Sequence, residues 1–247
     1  MAASTGLGKR KAVTIGGQHG SYRGYYGQRR DWAMDNRVKY LKENLEEGMD
    51  VSAWLDIGCN EGLLTMALAK TFKCKSMIGI DIDKELIGRA ELNKTTLTEQ
   101  GEDSKNDTNG SVGNDAFEGD LKFVHGDVLH ETGRSNQFSV ISCFSVTKWI
   151  HLNHGDPGLL KLFDTIFRML KPNGLFILEA QPWKSYQKRR RLNDVFATNI
   201  RNIQTRPTDF QAKLGALGFE LILSCPAVQA KSLGFSRPIQ VYRKSAN

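Results

Sequence analysis

The chain has 247 residues, 40% of them apolar, 9% aromatic and 25% charged, with a formal net charge of +7. At roughly 100 to 200 residues per domain this length fits one domain, and the composition excludes a wholly disordered chain. No apolar run approaches the ~18 residues of a membrane span, and the first thirty residues lack an apolar signal core, so a soluble, intracellular protein is expected.

Residues 1–18 read as a disordered basic tail, and 19–247 as a single domain. Val51 to Ile57 predicts a strand, Glu61 to Lys70 a helix, Ser76 to Ile80 a strand and Lys84 to Asn93 a helix. From about 99 to 119 the chain is rich in Gly, Ser, Asn and acids with little to bury, which predicts a flexible acidic insertion. Strands follow at Leu121 to Val124 and Phe138 to Cys143. Asp156 as N-cap and Pro157 at the first helical position announce a helix whose apolar residues run from Leu159 to Leu170. Lys171-Pro172-Asn173-Gly174 stops it, Leu175 to Leu178 is the next strand, and Glu220 to Leu223 with Ile239 to Tyr242 form the last pair. Strands alternating with helices predict an α/β fold, a mostly parallel sheet with helices on both faces.

The charge is distributed unevenly. Residues 1–30 carry six basic side chains and no acid, and Lys184 to Arg206 carries seven against Asp194 alone. Between them, residues 99–120 carry seven acids against Lys105. Two basic blocks point to a polyanionic partner, although such runs also occur as solvated helix faces. Cys59, Cys74, Cys143 and Cys225 are far apart, with no Cys-x-x-Cys pair and no clustered histidines. That spacing argues for buried thiols and for no metal site.

Leu55-Asp56-Ile57-Gly58-Cys59-Asn60-Glu61-Gly62 lies at the carboxyl end of the first strand, where open α/β sheets bind ligands. Its Gly-x-x-x-Gly spacing differs from the Gly-x-Gly-x-x-Gly of pyrophosphate binders and suits a nucleoside. Asp81 ends the second strand, placed to accept both ribose hydroxyls; Asp83 beside it reads as a helix N-cap. Asp127 follows the third strand, placed to accept from an adenine amino group. Together these turns describe an adenosine pocket. They resemble class I S-adenosylmethionine-dependent methyltransferases, as does the Leu170 to Gly174 turn. The resemblance implies a single Rossmann-like domain with a seven-stranded sheet.

Three further segments are more particular: Ser21-Tyr22-Arg23-Gly24-Tyr25-Tyr26-Gly27-Gln28-Arg29, Thr147 to Asp156 with Glu179 to Tyr186, and Gly234-Phe235-Ser236-Arg237-Pro238. Aromatic faces stack bases, while Arg and Lys neutralise phosphates. From about Tyr22 to Tyr242, outside the acidic insertion, the chain closely resembles the methylphosphate capping enzymes, the Bicoid-interacting family of RNA methyltransferases. The resemblance implies methylation of the terminal γ-phosphate at the 5′ end of a noncoding RNA, of small nuclear RNA type, with S-adenosylmethionine. Tyr26, Arg37, Gly58, Cys59, Asn60, Asp81, Ile82, Asp127, Val128 and Phe144 would then line the cofactor. Tyr25, Arg29, Lys148 and His151 would face the phosphates. Trp149, Trp183, Lys184, Lys188, Arg189 and Arg190 would contact the RNA. Core packing is the competing role for both tryptophans, and structural hydrogen bonding the competing role for His151. Ala180 stands where the family has a proline, and Gln28 where an aromatic is common. The alternative functions are a 5′-monophosphate methyltransferase of tRNA or precursor microRNA, and an RNA-stabilising chaperone of the same fold. The expected partners are a 5′-triphosphate RNA and a small ribonucleoprotein, without a membrane. The expected state apart from RNA is monomeric, in the nucleus or otherwise the cytoplasm.

Overall fold

The computed structural model describes residues 17, 19, 20, 35–103, 117–225 and 237–246. Within them the apolar runs become strands β1 (Ala53–Ile57), β2 (Ser76–Asp81), β3 (Asp120–His125), β4 (Phe138–Phe144), β5 (Leu170–Glu179), β6 (Phe219–Cys225) and β7 (Ile239–Lys244). They form one seven-stranded sheet in the order β3-β2-β1-β4-β5-β7-β6. Neighbours from β3 to β5 pair in parallel, and β7 runs antiparallel to both β5 and β6.

A parallel sheet must be covered on both faces, and β1 shows how this sequence does it. Trp54 points into one core layer with Met77, Val140 and Ile177, closed by Leu41 of α1 (Asn36–Asn44), Leu68 of α2 (Leu63–Phe72) and Ile87 of α3 (Lys84–Asp103). Leu55 and Ile57 point into the opposite layer with Phe176. That layer is closed by Leu159, Phe163 and Ile166 of α4 (Thr147–Met169) and by Phe210 of α7 (Phe210–Ala216). A third, smaller cluster gathers Trp149, Leu152, Tyr186, Phe196 and Ile203, and so packs the start of α4 against α5 (Trp183–Gln187) and α6 (Asp194–Asn202). All four cysteines are buried thiols.

The polar residue of β1 is equally buried. Asp56 Oδ1 accepts from Ser142 Oγ at 2.7 Å and Oδ2 from Thr65 Oγ1 at 2.6 Å. Burial pushes its carboxyl up to about 6 in spite of those bonds.

Several elements differ from the sequence expectations. Helix α1 was not expected, although Asp35 caps it, accepting from Arg37 N at 2.9 Å, and Val38 and Leu41 keep helical spacing. Helix α3 continues to Asp103, into the first part of the expected insertion, while 104–116 lie outside the described residues. The expected basic tail also lies outside them, apart from Gly17. Lys171 to Gly174 lies inside β5, where the pairing register slips between Phe138 opposite Leu170 and Val140 opposite Leu175.

The helix expected from Asp156 onward begins nine residues earlier at Thr147, and Gly155 (φ 62°, ψ −165°) breaks it into two halves. The second half starts where expected, but the Asp156 carboxylate is turned to other partners. It accepts from Gln204 N at 2.9 Å and His151 Nε2 at 2.8 Å, tying the break to the chain that leaves α6. Burial alone would raise Asp156; these hydrogen bonds take it below the ordinary carboxylate value.

Candidate active site

The carboxyl ends of β1, β2, β3 and β4 open into one cavity, and the turn after β1 forms its floor. Gly58 sits at φ 74°, where an added Cβ would lie 2.1 Å from Val146 Cγ2, so only glycine fits. Gly58 N and Cys59 N both donate to Ile80 O, at 2.8 and 3.1 Å, which pins the turn onto β2. Asn60 then takes a left-handed conformation (φ 54°) and its N–H donates to Asp81 Oδ2 at 2.9 Å. Asp83 N donates to the other oxygen, Oδ1, at 2.9 Å. Burial raises the Asp81 carboxyl against these bonds. A carboxylate has about four acceptor positions, so backbone donors that use two of them fix its plane and leave capacity for ligand hydroxyls.

Gly58, Asn60, Asp81, Ile82, Asp127, Val128, Phe144 and Arg37 all line this cavity. Asp127 accepts from Leu129 N at 2.9 Å with Oδ1, capping a short 3-10 turn, while its Oδ2 lies 3.2 Å from His130 Nδ1. Arg37 is fixed by Asp35, its Nε 3.0 Å from Oδ1 and its Nη2 2.7 Å from Oδ2, and its guanidinium lies 5.4 Å from the Phe144 ring centroid. Asp83 caps α3, accepting from Glu85 N at 2.9 Å, as expected of a helix N-cap. Cys59 departs from expectation: its side chain points into the core, where burial pushes the thiol up, and only its backbone serves the turn. Tyr26 lies outside the described residues.

The other side of the cavity is built by the first half of α4. Trp149 lines it with only 6% of its surface exposed, and His19 and Gly20 of the amino-terminal segment line it too. Two cations gather on the Trp149 ring: Lys148 Nζ at 4.3 Å and the Arg189 guanidinium at 5.5 Å from the centroid. Burial, together with the nearby charges of Arg189 and Arg237, lowers Lys148 to about 8. Arg237, which no site expectation included, lines the cavity directly. Among the described residues neither Lys148 nor Arg189 has a carboxylate within ion-pair distance. Trp183 is half-buried against Tyr186, its ring centroid 5.1 Å away, with the Arg206 guanidinium at 5.2 Å; Lys184, Lys188 and Arg190 are exposed.

His151 overturns its expected phosphate contact. It has no exposed surface, packs edge-on against Tyr186 at 5.6 Å between ring centroids, and bonds Asp156 through Nε2. Its spacing three residues from Lys148 puts it on the same face of the helix, but that face turns inward beyond Lys148. Burial lowers its pKa despite Asp156, which favours a neutral imidazole. His154, in contrast, is exposed at the cavity's edge. Tyr25 and Arg29 lie outside the described residues.

A mostly parallel sheet of this order, a glycine turn after β1 and an acidic residue ending β2 define a class I S-adenosylmethionine-dependent methyltransferase. Solved structures with this fold include magnesium protoporphyrin IX methyltransferase from Synechocystis with bound S-adenosylmethionine. It has a TM-score of 0.56 and 16% identity, over 85% of this chain and 77% of that one. A methyltransferase from Clostridium acetobutylicum matches with a TM-score of 0.57 and 14% identity, over 92% and 98%.

A methyltransferase-domain family model matches residues 55–178, and the model for Bicoid-interacting protein 3 (Bin3) matches residues 138–244. A probable RNA methyltransferase of Arabidopsis thaliana is 35% identical over 257 residues, covering 91% of this chain and 80% of its own. The U6 snRNA methylphosphate capping enzyme Amus of Drosophila melanogaster is 35% identical over 92% of this chain and 75% of its own. The 7SK snRNA methylphosphate capping enzyme of Mus musculus is 31% identical over 92% of this chain, which spans 41% of that longer protein. The chain belongs to the methylphosphate capping, or Bicoid-interacting, family of S-adenosylmethionine-dependent RNA methyltransferases.

The residues present fit the cofactor: a floor that admits no Cβ at Gly58, an oriented carboxylate at Asp81, and apolar walls at Ile82, Val128 and Phe144. Among the described residues no group of His, Cys, Asp or Glu could hold a metal ion, and no helix is long and apolar enough to cross a membrane.

Proposed function

We propose that the protein transfers a methyl group to the terminal γ-phosphate of a noncoding RNA bearing a 5′-triphosphate, a small nuclear RNA being the favoured class. The observation that carries this reading is the cation cluster beside the cofactor cavity: Lys148 and Arg189 on the Trp149 ring, with Arg237 close enough to depress Lys148. Like charges pressed together at a half-buried site destabilise one another unless an anion joins them. A triphosphate chain supplies several negative charges to such a cluster.

S-adenosylmethionine, when bound, supplies an electrophilic methyl group on a sulfonium. Asp81, Asn60 and Gly58 hold the nucleoside portion, and Arg37 and Phe144 wall the side toward β4. Lys148, Arg189 and Arg237 neutralise and orient the phosphates, and with them Tyr25 and Arg29 of the amino-terminal arm and Lys188 on the surface. Trp149 is the platform on which the cations rest. Trp183, with Lys184 and Arg190, receives the RNA that follows the 5′ end. A terminal phosphate oxygen is already anionic near neutral pH, so the chain need supply position and charge rather than a base.

The relatives named as RNA 5′-monophosphate methyltransferases match a shorter part of this chain. The Rattus norvegicus protein is 32% identical over 54% of it. Matches to the capping enzymes span 92%, which favours the triphosphate. The small nuclear RNAs in those names support a nuclear location and action on the RNA of a small ribonucleoprotein.

The test uses labelled S-adenosylmethionine and one oligonucleotide ending in 5′-triphosphate, 5′-monophosphate or 5′-hydroxyl. Label on the terminal phosphate of the triphosphate alone is expected. Preferred transfer to the monophosphate would establish the second reading. Transfer to the 5′-hydroxyl RNA would overturn both, since an alcohol needs a base, and His154 at the cavity edge would then be the residue to examine.

A further inference from the structure

The two walls of the cavity are joined by a buried glutamate that neither the cofactor motif nor the cation cluster includes. Glu179 ends β5, opposite Phe144 of β4, and is 1% exposed. Its Oε2 lies 3.8 Å from Arg37 Nη1, on the cofactor wall. Its Oε1 lies 3.2 Å from Arg237 Nη1, on the phosphate wall, and also accepts a short bond from Ser145 Oγ. Arg237 donates to the same Ser145 hydroxyl.

Ser145 itself is held where serine is rarely found, at φ 64°. Its N–H donates to Glu179 O at 2.9 Å and its carbonyl accepts from Gln181 Nε2, so the last residue of β5 and the segment just after it fix it from both sides. Ser145 also lines the cavity. Residues 37, 145, 179 and 237 thus meet at one carboxylate, from α1's first turn, the β4–α4 junction, the end of β5 and the approach to β7.

Resting on the functional reading above, we infer that Glu179 is a positioning residue that couples the two sites, so that cofactor and RNA 5′ end tighten one another's binding. The two oxygens of a carboxylate cannot move independently. A ligand that packs against Arg37 and Phe144 fixes the plane of Glu179, and with it the Arg237 guanidinium that faces the phosphates. The second ligand then meets an arginine already ordered. Thermodynamic linkage makes the effect reciprocal. The arrangement thus favours the ternary complex: the phosphates are gripped best when the methyl donor is in place, and the donor when the phosphates are.

The experiment measures the affinity of S-adenosylhomocysteine by calorimetry with and without a saturating 5′-triphosphate oligonucleotide, and the affinity of the oligonucleotide with and without S-adenosylhomocysteine. The wild type should show mutual tightening of about fivefold or more, the lower range of ordinary allosteric coupling. Glu179→Gln, which keeps the shape and removes the charge, should bring that factor close to one. Arg237→Met cuts the same link from the phosphate side and should also abolish the coupling; it decides the matter if Glu179→Gln fails to fold. Undiminished coupling in a folded variant, or no coupling in a wild type that binds both ligands, would overturn this inference and leave the functional reading intact. A wild type that binds S-adenosylhomocysteine but not the triphosphate oligonucleotide would overturn the functional reading and the inference with it.

Discussion

The cofactor side and the phosphate side of the cavity are built by different means. On the cofactor side the proposed ligand contacts are backbone turns and short carboxylates at the ends of adjacent parallel strands, each within two or three residues of its strand. On the proposed phosphate side they are long cationic side chains on α4, the turn after α5 and the approach to β7, the first two supported by the small cluster around Phe196 and Tyr186. The first kind of site is as rigid as the sheet. The second depends on a satellite core that holds the start of α4 against α5 and α6, and on Glu179 and Ser145, which hold Arg237; Lys148 lies there beside two like charges. A nucleoside recognised by hydrogen bonds calls for rigidity, whereas a polyanion calls for charge.

The sharpest way to break this contrast is at Lys148. Lys148→Met keeps most of the buried stem and removes the charge, and should slow transfer to triphosphate RNA by about 100-fold, the scale of losing one preorganised donor. Calorimetry should find its affinity for S-adenosylmethionine nearly unchanged. An equal loss in cofactor affinity would mean that the two sides are not separable in this way.

The converse change is Asp81→Ala. It leaves Asn60 N and Asp83 N without their acceptor and removes the hydroxyl contact, which should weaken cofactor binding by about 1 to 3 kcal/mol. Calorimetry with the cofactor alone reads this directly, and salt-dependent RNA binding should be little altered.

The pH dependence separates the sides in another way. Below pH ~6 the terminal phosphate gains a proton, so transfer should rise with pH up to that point. Lys148, lowered to about 8, is charged at neutral pH and loses its proton as pH rises through that value. The rate constant kcat/KM, which reports the free enzyme, should therefore fall on the alkaline side near pH 8. In Lys148→Met the alkaline limb should vanish while the acid limb stays. A limb that persists in the variant would assign it to another group.

The smallest expected effect is on the surface. Reversing the exposed Lys184 and Arg190 to Glu should weaken RNA binding and flatten its salt dependence, each lost phosphate contact removing about 0.7 from the slope of log K against log salt for single strands. An unchanged slope would make this segment a solvated face.

Much of the cofactor side could be read from the sequence because its determinants are local. Strand spacing, a Gly-x-x-x-Gly turn and single carboxylates after each strand occupy short stretches whose geometry follows from the backbone. Seven strands and the residues that end β1, β2 and β3 were legible in this way. Cys59 was misassigned because a motif names positions, not directions, and here its side chain turns into the core. Helix α1 carried a legible signal in Asp35, Val38 and Leu41, obscured by the basic and aromatic stretch before it.

The phosphate side was legible in its residue types and not in their arrangement. The sequence alone determined that basic and aromatic residues cluster in Thr147 to Asp156 and Lys184 to Arg206. Only the tertiary structure decided that Lys148 reaches Trp149 and Arg189 while His151, three residues on, is sealed beneath Tyr186 and bound to Asp156. It alone brought Arg237 to Glu179, 58 residues away, and to Ser145, 92 residues away. Periodicity fixes which face of a helix a residue occupies, but which part of that face meets solvent depends on the elements packed against it. Here those elements are α5, α6 and α7, whose positions follow from long-range burial rather than from any local pattern.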